Sequence, residues 1–570
     1  MQMTGSRIII ECLVERGVDV VFGYPGGTVL NIYDELYRNA DRIRHILTAH
    51  EQGASHAADG YARSTGRPGV VIATSGPGAT NLVTGIAAAY MDSVPLIAIT
   101  GNVPLSLLGK DSFQEVDIAG VTMPITKHNF IVKDVRELAD TMRLAFEIAT
   151  TGRPGPVLVD VTKDVTAART EWISADESAA LRAGAASTHR FTAKAIKSVT
   201  AMELDDAAAL IAAAEKPFIY AGGGVIIAEA ASQLREFAER LHAPCALSLM
   251  GHGAMPADHP LFTGMIGMHG TKASNMAAGA ADLLIAVGAR FSDRVVSNLS
   301  VFAKKAKILH IDIDPAEINK NVRSYTSLVG DVKEILTGLN SRIAPKNISA
   351  WNGDIAAWKE ERPSSHETKK ALHPRFILET IHSKVGDEAF VTTEVGQHQM
   401  WTAQFYPFSK PRTFITSGGL GAMGFGTGAA MGVQIAHPEA QVVHIAGDGS
   451  FRMNCAELAT IVNYNLPILI VVFNNGTLGM VRQWQTMFYE KRYCQTTLDR
   501  PPDFVKLADA YGLPGYRARE PEEFRACLEA ALSRRGPALI ECVLDIDEKV
   551  LPMVPAGKPI DELILEPRES

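Results

Sequence analysis

Hydrophobic residues along this chain form short continuous runs that alternate with longer stretches of helical periodicity. The runs are rich in valine, isoleucine and leucine, and the clearest are Val70–Thr74, Leu96–Thr100, Val157–Val161, Phe218–Tyr220, Leu283–Val287, Ile308–Ile313, Val442–Ala446 and Ile468–Phe473. Continuous apolar strands between helices are typical of parallel sheets that are covered on both faces. The pattern therefore predicts an α/β fold with doubly wound layers.

Two stretches, 166–192 and 344–373, interrupt this alternation. They lose strand periodicity and gain alanine, serine, proline and charged residues, as linkers do. A chain of 570 residues has room for about three to four domains. We therefore predict three domains, 1–166, 190–344 and 372–552, followed by a tail, 553–570.

Composition narrows the class of protein. Hydrophobic residues make up 46% and charged residues 21% of the chain, and the formal net charge is −8, which argues against nucleic acid as the main partner. The six cysteines form no CxxC pair, and no apolar run approaches the ~18 residues of a membrane span. The first residues lead directly into a helix. We therefore expect a soluble protein of the cytoplasm, without a leader peptide.

The strongest chemical signal lies in the third block. A buried strand, Val442–Ala446, is followed by Gly447-Asp448-Gly449-Ser450, and Asn475 ends the next strand, 27 positions after Asp448 (475 − 448). A strand–helix–strand unit of this length brings two strand ends side by side, where a carboxylate and an amide oxygen suit Mg²⁺ together with phosphate oxygens. The alternative is a tight turn with a capping aspartate and an unrelated asparagine.

The segment GDGSFRMNCAELATIVNYNLPILIVVFNN (447–475) resembles the diphosphate-and-metal motif of thiamine-diphosphate (ThDP) enzymes. The resemblance implies ThDP and Mg²⁺ as cofactors, with the Asp448 and Asn475 side chains and the Thr477 carbonyl as metal ligands. Three further segments resemble cofactor contacts of this family: SGPGATN (75–81), VGQHQMW (395–401) and SGGLGAMGFGTG (417–428). The ThDP contacts implied are Gly396, Gln397, His398, Gly421, Met423, Gly449 and Ser450.

His50-Glu51-Gln52-Gly53 in the first block resembles the activator signature of the same family. A lone glutamate is usually a solvated or capping carboxylate. Thiamine chemistry, however, needs a carboxylate at N1′ of the aminopyrimidine, and a carboxyl group buried against an apolar ring can keep a proton near neutral pH. The resemblance therefore implies that Glu51 is the activator.

Four other segments resemble the acetohydroxyacid synthase branch of this family: GYPGG (23–27), DSFQE (111–115), KHNF (127–130) and VLPMVPAGKPIDELI (550–564). The branch joins pyruvate, after decarboxylation, to a second 2-keto acid. Pyruvate gives 2-acetolactate and 2-ketobutyrate gives 2-aceto-2-hydroxybutyrate, the first common step of branched-chain amino-acid biosynthesis. The three doubly wound domains would then be pyrimidine-binding, central FAD-binding and diphosphate-binding.

In this branch the middle block holds FAD, through segments similar to YAGGG (220–224), GMHGT (267–271) and GARFSDR (288–294). Each FAD contact that these segments imply could, taken alone, equally be a structural glycine or an ordinary strand end. The implied FAD contacts are Ser93, Arg153, Gly223, Met268, His269, Gly288, Arg290, Asp312 and Asp331.

The resemblance also assigns the substrate entrance. Phe113, Gln114 and Lys127 are expected beside Glu51 as catalytic residues, while Gly27, Lys163, Arg294, Met480 and Trp484 are expected to set substrate specificity. The alternatives are a core tryptophan, solvated lysines and a salt-bridged arginine. The chain departs from the family pattern at Asn102, Lys110, Ser292 and Arg482.

A homodimer or homotetramer with active sites at the subunit interface is implied, and a small regulatory subunit often accompanies this family. Two other activities on the same fold remain open, a pyruvate oxidase and a simple 2-keto-acid decarboxylase. A third alternative is a non-catalytic cofactor-binding paralogue.

Overall fold

The computed structural model describes residues 1–177, 198–361 and 372–566. Residues 178–192 of the predicted linker 166–192 and residues 362–371 of the predicted linker 344–373 lie outside these residues. Within them the chain forms three six-stranded sheets and one two-stranded sheet. The predicted class, α/β with parallel sheets, is confirmed, and the runs expected to be strands are strands with ends shifted by one or two residues.

The first sheet has the strand order β3-β2-β4-β5-β7-β6, and all of its pairs are parallel. Strands β1 and β8 pair separately and antiparallel. The elements are β1 (Gln2–Thr4), α1 (Gly5–Glu15), β2 (Val20–Gly23), α2 (Leu30–Arg38), β3 (Arg44–Leu47), α3 (Glu51–Thr65), β4 (Gly69–Ala73), α4 (Pro77–Asn81), α5 (Val83–Met91), β5 (Leu96–Asn102), α6 (Ile118–Thr122), β6 (His128–Val132), α7 (Val135–Thr150), β7 (Val157–Thr162), α8 (Lys163–Ala167) and β8 (Arg169–Glu171).

The second sheet is parallel with the order β11-β10-β9-β12-β13-β14, so the strand order reverses between β9 and β12. This is the order of dinucleotide-binding sheets, which bind ligands at that reversal. The elements are α9 (Ala201–Ala213), β9 (Pro217–Ala221), α10 (Gly223–Ile227), α11 (Ala231–Leu241), β10 (Cys245–Leu247), β11 (Phe262–Met265), α12 (Lys272–Ala280), β12 (Leu283–Val287), α13 (Asp293–Val296), β13 (Lys307–Asp312), β14 (Thr326–Val329), α14 (Val332–Asn340) and α15 (Ser349–Glu360).

Alternation along these strands explains why they read as continuous apolar runs. Ile219 and Ala221 of β9 enter one hydrophobic cluster, whereas Phe218 and Tyr220 enter another. Because successive side chains point to opposite faces and both faces are covered by helices, every position is buried.

The third sheet has the order β16-β15-β17-β18-β20-β19, which makes β17 and β18 neighbours as the metal motif requires. The elements are α16 (Pro374–Val385), β15 (Phe390–Thr393), α17 (Gln397–Phe405), β16 (Phe414–Ile415), α18 (Phe425–Ala436), β17 (Val442–Gly447), α19 (Asp448–Asn454), α20 (Leu458–Asn463), β18 (Ile468–Asn474), α21 (Gly479–Phe488), α22 (Phe504–Tyr511), β19 (Gly515–Ala518), α23 (Pro521–Leu532) and β20 (Ala538–Val543).

The described chain divides into two compact units that do not follow the sequence order. One unit contains the residues up to 177 together with 417–439 and 452–468, and the other contains the remaining described residues. Helix α18 therefore belongs to the same unit as α3. None of the described helices has the length and apolar character needed to cross a bilayer.

Helices α3 and α18 approach closely because glycines face the contact. A Cβ atom on Gly432 would overlap the carbonyl oxygen of Ala57, and one on Gly60 would overlap that of Ala429. On Gly428 it would lie 2.7 Å from the Cβ of His56. Absence of side chains at these three positions therefore sets the distance between the helices.

Replacing Gly432 by alanine should destabilise the first unit, because a methyl group at this contact forces the helices apart. Overpacking of this kind typically costs about 1–3 kcal/mol. We expect a lower thermal unfolding midpoint for Gly432→Ala by calorimetry. The control is Gly353→Ala in α15, where a Cβ would meet nothing within 4 Å and where alanine should stabilise the helix by roughly 0.5–1 kcal/mol. Equal midpoints for Gly432→Ala and the parent would contradict the contact.

Candidate functional site

Glu51 is the first residue of α3, directly after the N-cap residue His50. The side-chain amide of Asn81 donates a hydrogen bond to Glu51 Oε2 at 2.9 Å. Asn81 ends α4, the helix formed by the SGPGATN segment. The fold thus brings together two motifs that are thirty residues apart, and the carboxylate is held in one orientation by an uncharged donor.

Glu457 holds the chain in front of Glu51. Its carboxylate accepts the backbone N–H groups of Ala49 at 3.0 Å and His50 at 3.1 Å, and the hydroxyl of Thr460 at 2.7 Å. Burial raises the pKa of the Glu457 carboxyl. A Cβ on Gly53 would overlap Glu457 Oε1, which explains why the segment His50–Gly53 ends in glycine. Sequence reasoning missed Glu457, although it lies in the CAEL segment of the quoted metal motif.

The glycine-rich segment 417–428 is anchored in the same unit. The carboxylate of Asp92 accepts the N–H groups of Gly418 at 3.0 Å and Gly419 at 2.7 Å. Gly421 has φ +68°, a left-handed conformation that glycine adopts without strain, and Met423 follows it half-buried. The segment is therefore a shaped loop that leads into α18.

Asp448 and Asn475 follow the neighbouring strands β17 and β18. Asp448 and Thr477 are each only 2% exposed, and the Thr477 hydroxyl donates to the carbonyl of Thr496 at 2.7 Å. The Thr477 side chain is thus engaged elsewhere, which agrees with a backbone carbonyl as the ligand. A carboxylate, an amide oxygen and a carbonyl form an oxygen donor set that suits Mg²⁺.

The glycines on either side of Asp448 let neighbouring side chains come close to its backbone. A Cβ on Gly447 would lie 2.6 Å from His398 Nδ1, and one on Gly449 would lie 2.6 Å from the Leu478 side chain. His398 is buried in the first turn of α17, and within the described part of the chain its Nε2 has no hydrogen-bond partner. Burial lowers the pKa of His398 to about 3, so the ring is neutral, and the N–H groups of the first turn of α17 are available to an anion. The residues present therefore fit a diphosphate–Mg²⁺ group.

Ser450 lies in the same place, but its hydroxyl donates to Glu394 Oε2 at 2.8 Å. Gly396 precedes α17 with φ 154°. A Cβ on Gly396 would lie 2.9 Å from the His398 ring, so glycine is required beside this histidine. The predicted residues Gly396, Gln397 and His398 thus form the start of one helix.

Two of the predicted FAD residues, Gly223 and Gly288, lie where the strand order of the second sheet reverses. Gly223 begins α10 after β9, and Gly288 follows β12 with φ +54°. A Cβ on Gly288 would lie 2.7 Å from Gly224 Cα, so the two strand ends approach closely. Arg290 follows on the same loop, and Asp312 ends β13. These positions suit a dinucleotide.

The other predicted FAD residues have specific partners. In the first unit Arg153 Nε donates to Ser93 Oγ at 2.8 Å. Asp331 caps α14 by accepting the Glu334 N–H at 3.1 Å, so its carboxylate has a structural role. The ring nitrogen Nδ1 of His269 lies 3.3 Å from the carbonyl of Pro552, and burial lowers the pKa of His269 to about 4.

Trp484 belongs to a small apolar cluster with Met268, Leu551 and Met553. Arg294 reaches the same place, since its Nη1 lies 3.7 Å from Met268 Sδ. Trp484 also lines a groove of about 570 Å³ with Met480, Val481, Gln485, Tyr489, Arg492 and Cys494. The structure therefore brings Arg294, Met268, Met480 and Trp484 into one region.

Arg482, one of the positions at which the chain departs from the family pattern, contacts an acidic and an aromatic side chain. The guanidinium pairs with Asp547 at 3.0 Å and lies over the Tyr493 ring, 3.8 Å from its centre. Arg482 is thus a structural contact between α21 and two later segments. Ser292 occupies the N-cap position of α13 without a side-chain hydrogen bond, and Lys110 is exposed.

The residues of the first unit that were predicted to line the substrate entrance differ in their packing and exposure. Gln114 has φ +59°, and its backbone packs against Gly76, whose Cβ would lie 2.8 Å from the Gln114 carbonyl oxygen. Phe113 is 88% exposed, and Lys163 is exposed at the start of α8. A Cβ on Gly27 would meet nothing within 4 Å.

Lys127 is engaged at the end of α7, where its ammonium donates to the carbonyls of Ile148 and Thr151. This interaction stabilises the carboxyl end of the helix. Its assignment to the entrance, like that of Phe113, Gln114, Lys163 and Gly27, stays a prediction.

Asn102, which departs from the family pattern, is buried beside Asp160. Its amide donates to Asp160 Oδ2 at 2.5 Å, and the Thr100 hydroxyl donates to Oδ1 at 2.6 Å. Burial raises the pKa of Asp160 to about 6 in spite of these two donors. Asn102 therefore takes part in a buried polar cluster at the ends of β5 and β7.

Three models of thiamine pyrophosphate enzymes match the chain: the N-terminal TPP binding domain at residues 3–121, the central domain at 204–339 and the C-terminal TPP binding domain at 394–542. The chain is 47% identical to the probable acetolactate synthase large subunit of Methanocaldococcus jannaschii, over 99% of this chain and 95% of that protein. It is 44% identical to the acetolactate synthase isozyme 2 large subunit of Escherichia coli (strain K12), over 99% of both chains. An acetolactate synthase of Arthrospira platensis is 46% identical, over 98% of this chain and 96% of its own.

The buried Asp160 predicts a pH effect on stability. Its pKa lies above the ordinary value of 3.8, so the folded protein holds a proton that the unfolded chain releases, and stability falls as the pH rises from about 4 to about 6. Asp160→Asn removes this charge and should raise the free energy of unfolding at pH 7 by on the order of 2–3 kcal/mol. The measurement is denaturant unfolding of both proteins at pH 4.5 and 7. A difference between them that does not grow with pH would contradict the burial of a titrating carboxyl.

Proposed function

Because the chain belongs to the acetolactate synthase large-subunit family of thiamine pyrophosphate enzymes, we propose that it condenses pyruvate, after loss of carbon dioxide, with a second 2-keto acid. Pyruvate as second substrate gives 2-acetolactate, and 2-ketobutyrate gives 2-aceto-2-hydroxybutyrate. Both are first products of branched-chain amino-acid synthesis. The observation that carries the proposal is that the Glu51–Asn81 contact and the Asp448–Asn475 strand ends accompany near-full-length similarity to this family.

The proposed cofactors are ThDP, Mg²⁺ and FAD. Asp448, Asn475 and the Thr477 carbonyl would hold Mg²⁺, and the first turn of α17, which contains His398, would meet the diphosphate. When bound, ThDP supplies a thiazolium that takes up the electron pair released as carbon dioxide leaves. The strand-order reversal at Gly223 and Gly288 supports a dinucleotide such as FAD in the second sheet.

Glu51 would exchange a proton with N1′ of the aminopyrimidine. The Asn81 amide donates to only one carboxylate oxygen, Oε2, which leaves Oε1 for that proton. The segment with Gly421 and Met423 would orient the pyrimidine ring through its main chain. Arg294 would bind the carboxylate of the second substrate, since a guanidinium matches a carboxylate with two parallel hydrogen bonds.

The apolar surfaces of Trp484, Met268 and Met480 would exclude water from the reacting carbon. Exclusion matters because protonation of that carbon would release acetaldehyde in place of the condensed product. This requirement distinguishes the proposed activity from a simple decarboxylase on the same fold.

The proposed assembly is a homodimer or homotetramer with active sites at the subunit interface, and a small regulatory subunit is a further proposed partner. Leu105, Leu107 and Phe113 are 44%, 44% and 88% exposed in the single chain, and this group of apolar side chains in one segment supports an interface beside the entrance. The proposed location is the cytoplasm, which six cysteines without a CxxC pair support.

Product analysis tests the function. With pyruvate, ThDP, Mg²⁺ and FAD, the parent should form 2-acetolactate, whereas acetyl phosphate or acetate with peroxide would indicate an oxidase and acetaldehyde a decarboxylase.

Glu51→Gln should lower kcat by about 10²–10⁴-fold because the amide cannot share a proton with N1′. ThDP affinity by calorimetry should change little. The control is Glu137→Gln, an exposed glutamate in the first turn of α7. Near-parental turnover of Glu51→Gln at saturating ThDP would exclude Glu51 as activator.

Trp484→Leu should lower the preference for 2-ketobutyrate while 2-acetolactate formation from pyruvate continues. The two substrates differ by one methylene, and a pocket gains only about 1–3 kcal/mol from such a group, or ~10–200-fold in selectivity. The measurement is the product ratio when both keto acids compete. Trp358→Leu, in α15 against Trp351, is the matched control and should leave the ratio unchanged. An unchanged ratio for Trp484→Leu would make this tryptophan a packing residue only.

A further inference from the structure

A row of side-chain amides runs from the proposed metal ligand to the C-terminal segment. Asn475 Nδ2 donates to Gln397 Oε1 at 3.1 Å. Gln397 Nε2 then donates to Gln483 Oε1 at 3.0 Å and to the carbonyl of Glu548 at 2.9 Å. Gln397 and Gln483 are 4% and 2% exposed, so water does not substitute for these partners.

The backbone of Val550 closes the row from both sides. Its N–H donates to Gln483 Oε1 at 2.9 Å, and its carbonyl accepts from Gln483 Nε2 at 3.0 Å. A backbone N–H and carbonyl cannot exchange roles, whereas a side-chain amide presents a donor at one end and an acceptor at the other. Val550 therefore dictates which way the Gln483 amide points.

The orientation passes along the row. Because Gln483 Oε1 accepts from Val550, it also faces Gln397 as an acceptor, and Gln397 must present its Nε2 there. The opposite atom, Gln397 Oε1, then faces Asn475 and takes its Nδ2. The amide oxygen of Asn475 is left for a cation. Of the two ends of the amide, only the oxygen can coordinate a cation, because the NH₂ group is a donor.

Space for this arrangement is specific to one glycine. A Cβ on Gly479 would overlap Gln397 Oε1 and would lie 2.8 Å from Asn475 Nδ2. The first residue of α21 is thus glycine where the row passes, and Gln483 lies one turn further along the same helix. The close approach at Gly479 and the placement of Gln483 in the row therefore both depend on the position of α21.

We propose that Gln483 is a positioning residue for the metal site, which orients the Asn475 amide through Gln397 so that its oxygen faces Mg²⁺. This inference rests on the proposed function for the identity of the site. Gln483 touches neither the metal ligands nor the proposed diphosphate contacts other than Gln397. Partners that hydrogen-bond a metal ligand directly, as Gln397 does here, typically change metal affinity by roughly 10–100-fold, and Gln483 acts through Gln397.

Calorimetric titration of ThDP into the full-length protein at a series of Mg²⁺ concentrations tests the proposal. Gln483→Met keeps the length of the side chain and removes both of its polar atoms, so the Mg²⁺ concentration for half-maximal ThDP binding should rise by about tenfold, the lower end of the range for a direct partner. Gln441→Met is the control, because its amide contacts only the Val442 carbonyl, at the opposite end of β17 from Asp448. Its Mg²⁺ requirement should match that of the parent.

Two further variants separate positioning from general damage to the fold. Gln483→Glu, buried and therefore protonated, retains an oxygen toward Gln397 and the Val550 N–H and an O–H toward the Val550 carbonyl, so its Mg²⁺ requirement should stay within about threefold of the parent. Gln397→Met combined with Gln483→Met should require no more Mg²⁺ than Gln397→Met alone, because the two residues act in series.

The results that overturn the proposal are specific. A folded Gln483→Met protein with the parental Mg²⁺ requirement contradicts it, as do a tenfold shift in folded Gln483→Glu and multiplying shifts in the double variant. In each of these cases the parent still binds ThDP in a Mg²⁺-dependent way, and the proposed function stands. A parent whose ThDP binding ignores Mg²⁺ overturns both.

Discussion

Close approach at positions without a side chain is the constraint on which the proposed site depends. Glu457 reaches the N–H groups before Glu51 only because Gly53 has no Cβ, and Gln397 reaches Asn475 only because Gly479 has none. Gly447 gives the same freedom to the His398 ring. At each position a polar side chain occupies the volume that a methyl group would fill. The glycines of the motifs therefore act through the neighbours that they admit, as well as through backbone conformation.

Much of the fold followed from the apolar pattern because parallel strands covered on both faces have no polar face. Eight strands, drawn from all three sheets, were predictable on this ground, and so was the adjacency of β17 and β18. Edge strands such as β3 and β6 were not, because several of their positions are exposed. The interleaved composition of the two units was not predictable, because nothing local to 417–439 or 452–468 shows which element those segments contact. Periodicity reports that a helix has a buried face but not the partner that buries it.

The same distinction applies to the site. Motifs identified Glu51, Asp448 and Asn475 because their residue types and spacing are tied to one chemistry. Glu457 and Gln483 carry no such signature, since a buried glutamate and a glutamine inside a helix serve many purposes. Their roles depend on hydrogen-bond partners that are distant in sequence, such as Ala49 and Val550. Lys127 is the opposite case. It lies in a segment that matches the family pattern, but its observed hydrogen bond is to a backbone carbonyl at the carboxyl end of α7.

The pairing of α3 with α18 has a consequence for synthesis of the chain on the ribosome. Translation must add 360 residues (425 − 65) between the end of α3 and the start of the helix that covers it. At about 5–20 residues per second this interval lasts tens of seconds. During that time the α3 face with Gly53, Ala57 and Gly60 lacks its native cover, so the nascent N-terminal block exposes a surface that is buried in the folded chain.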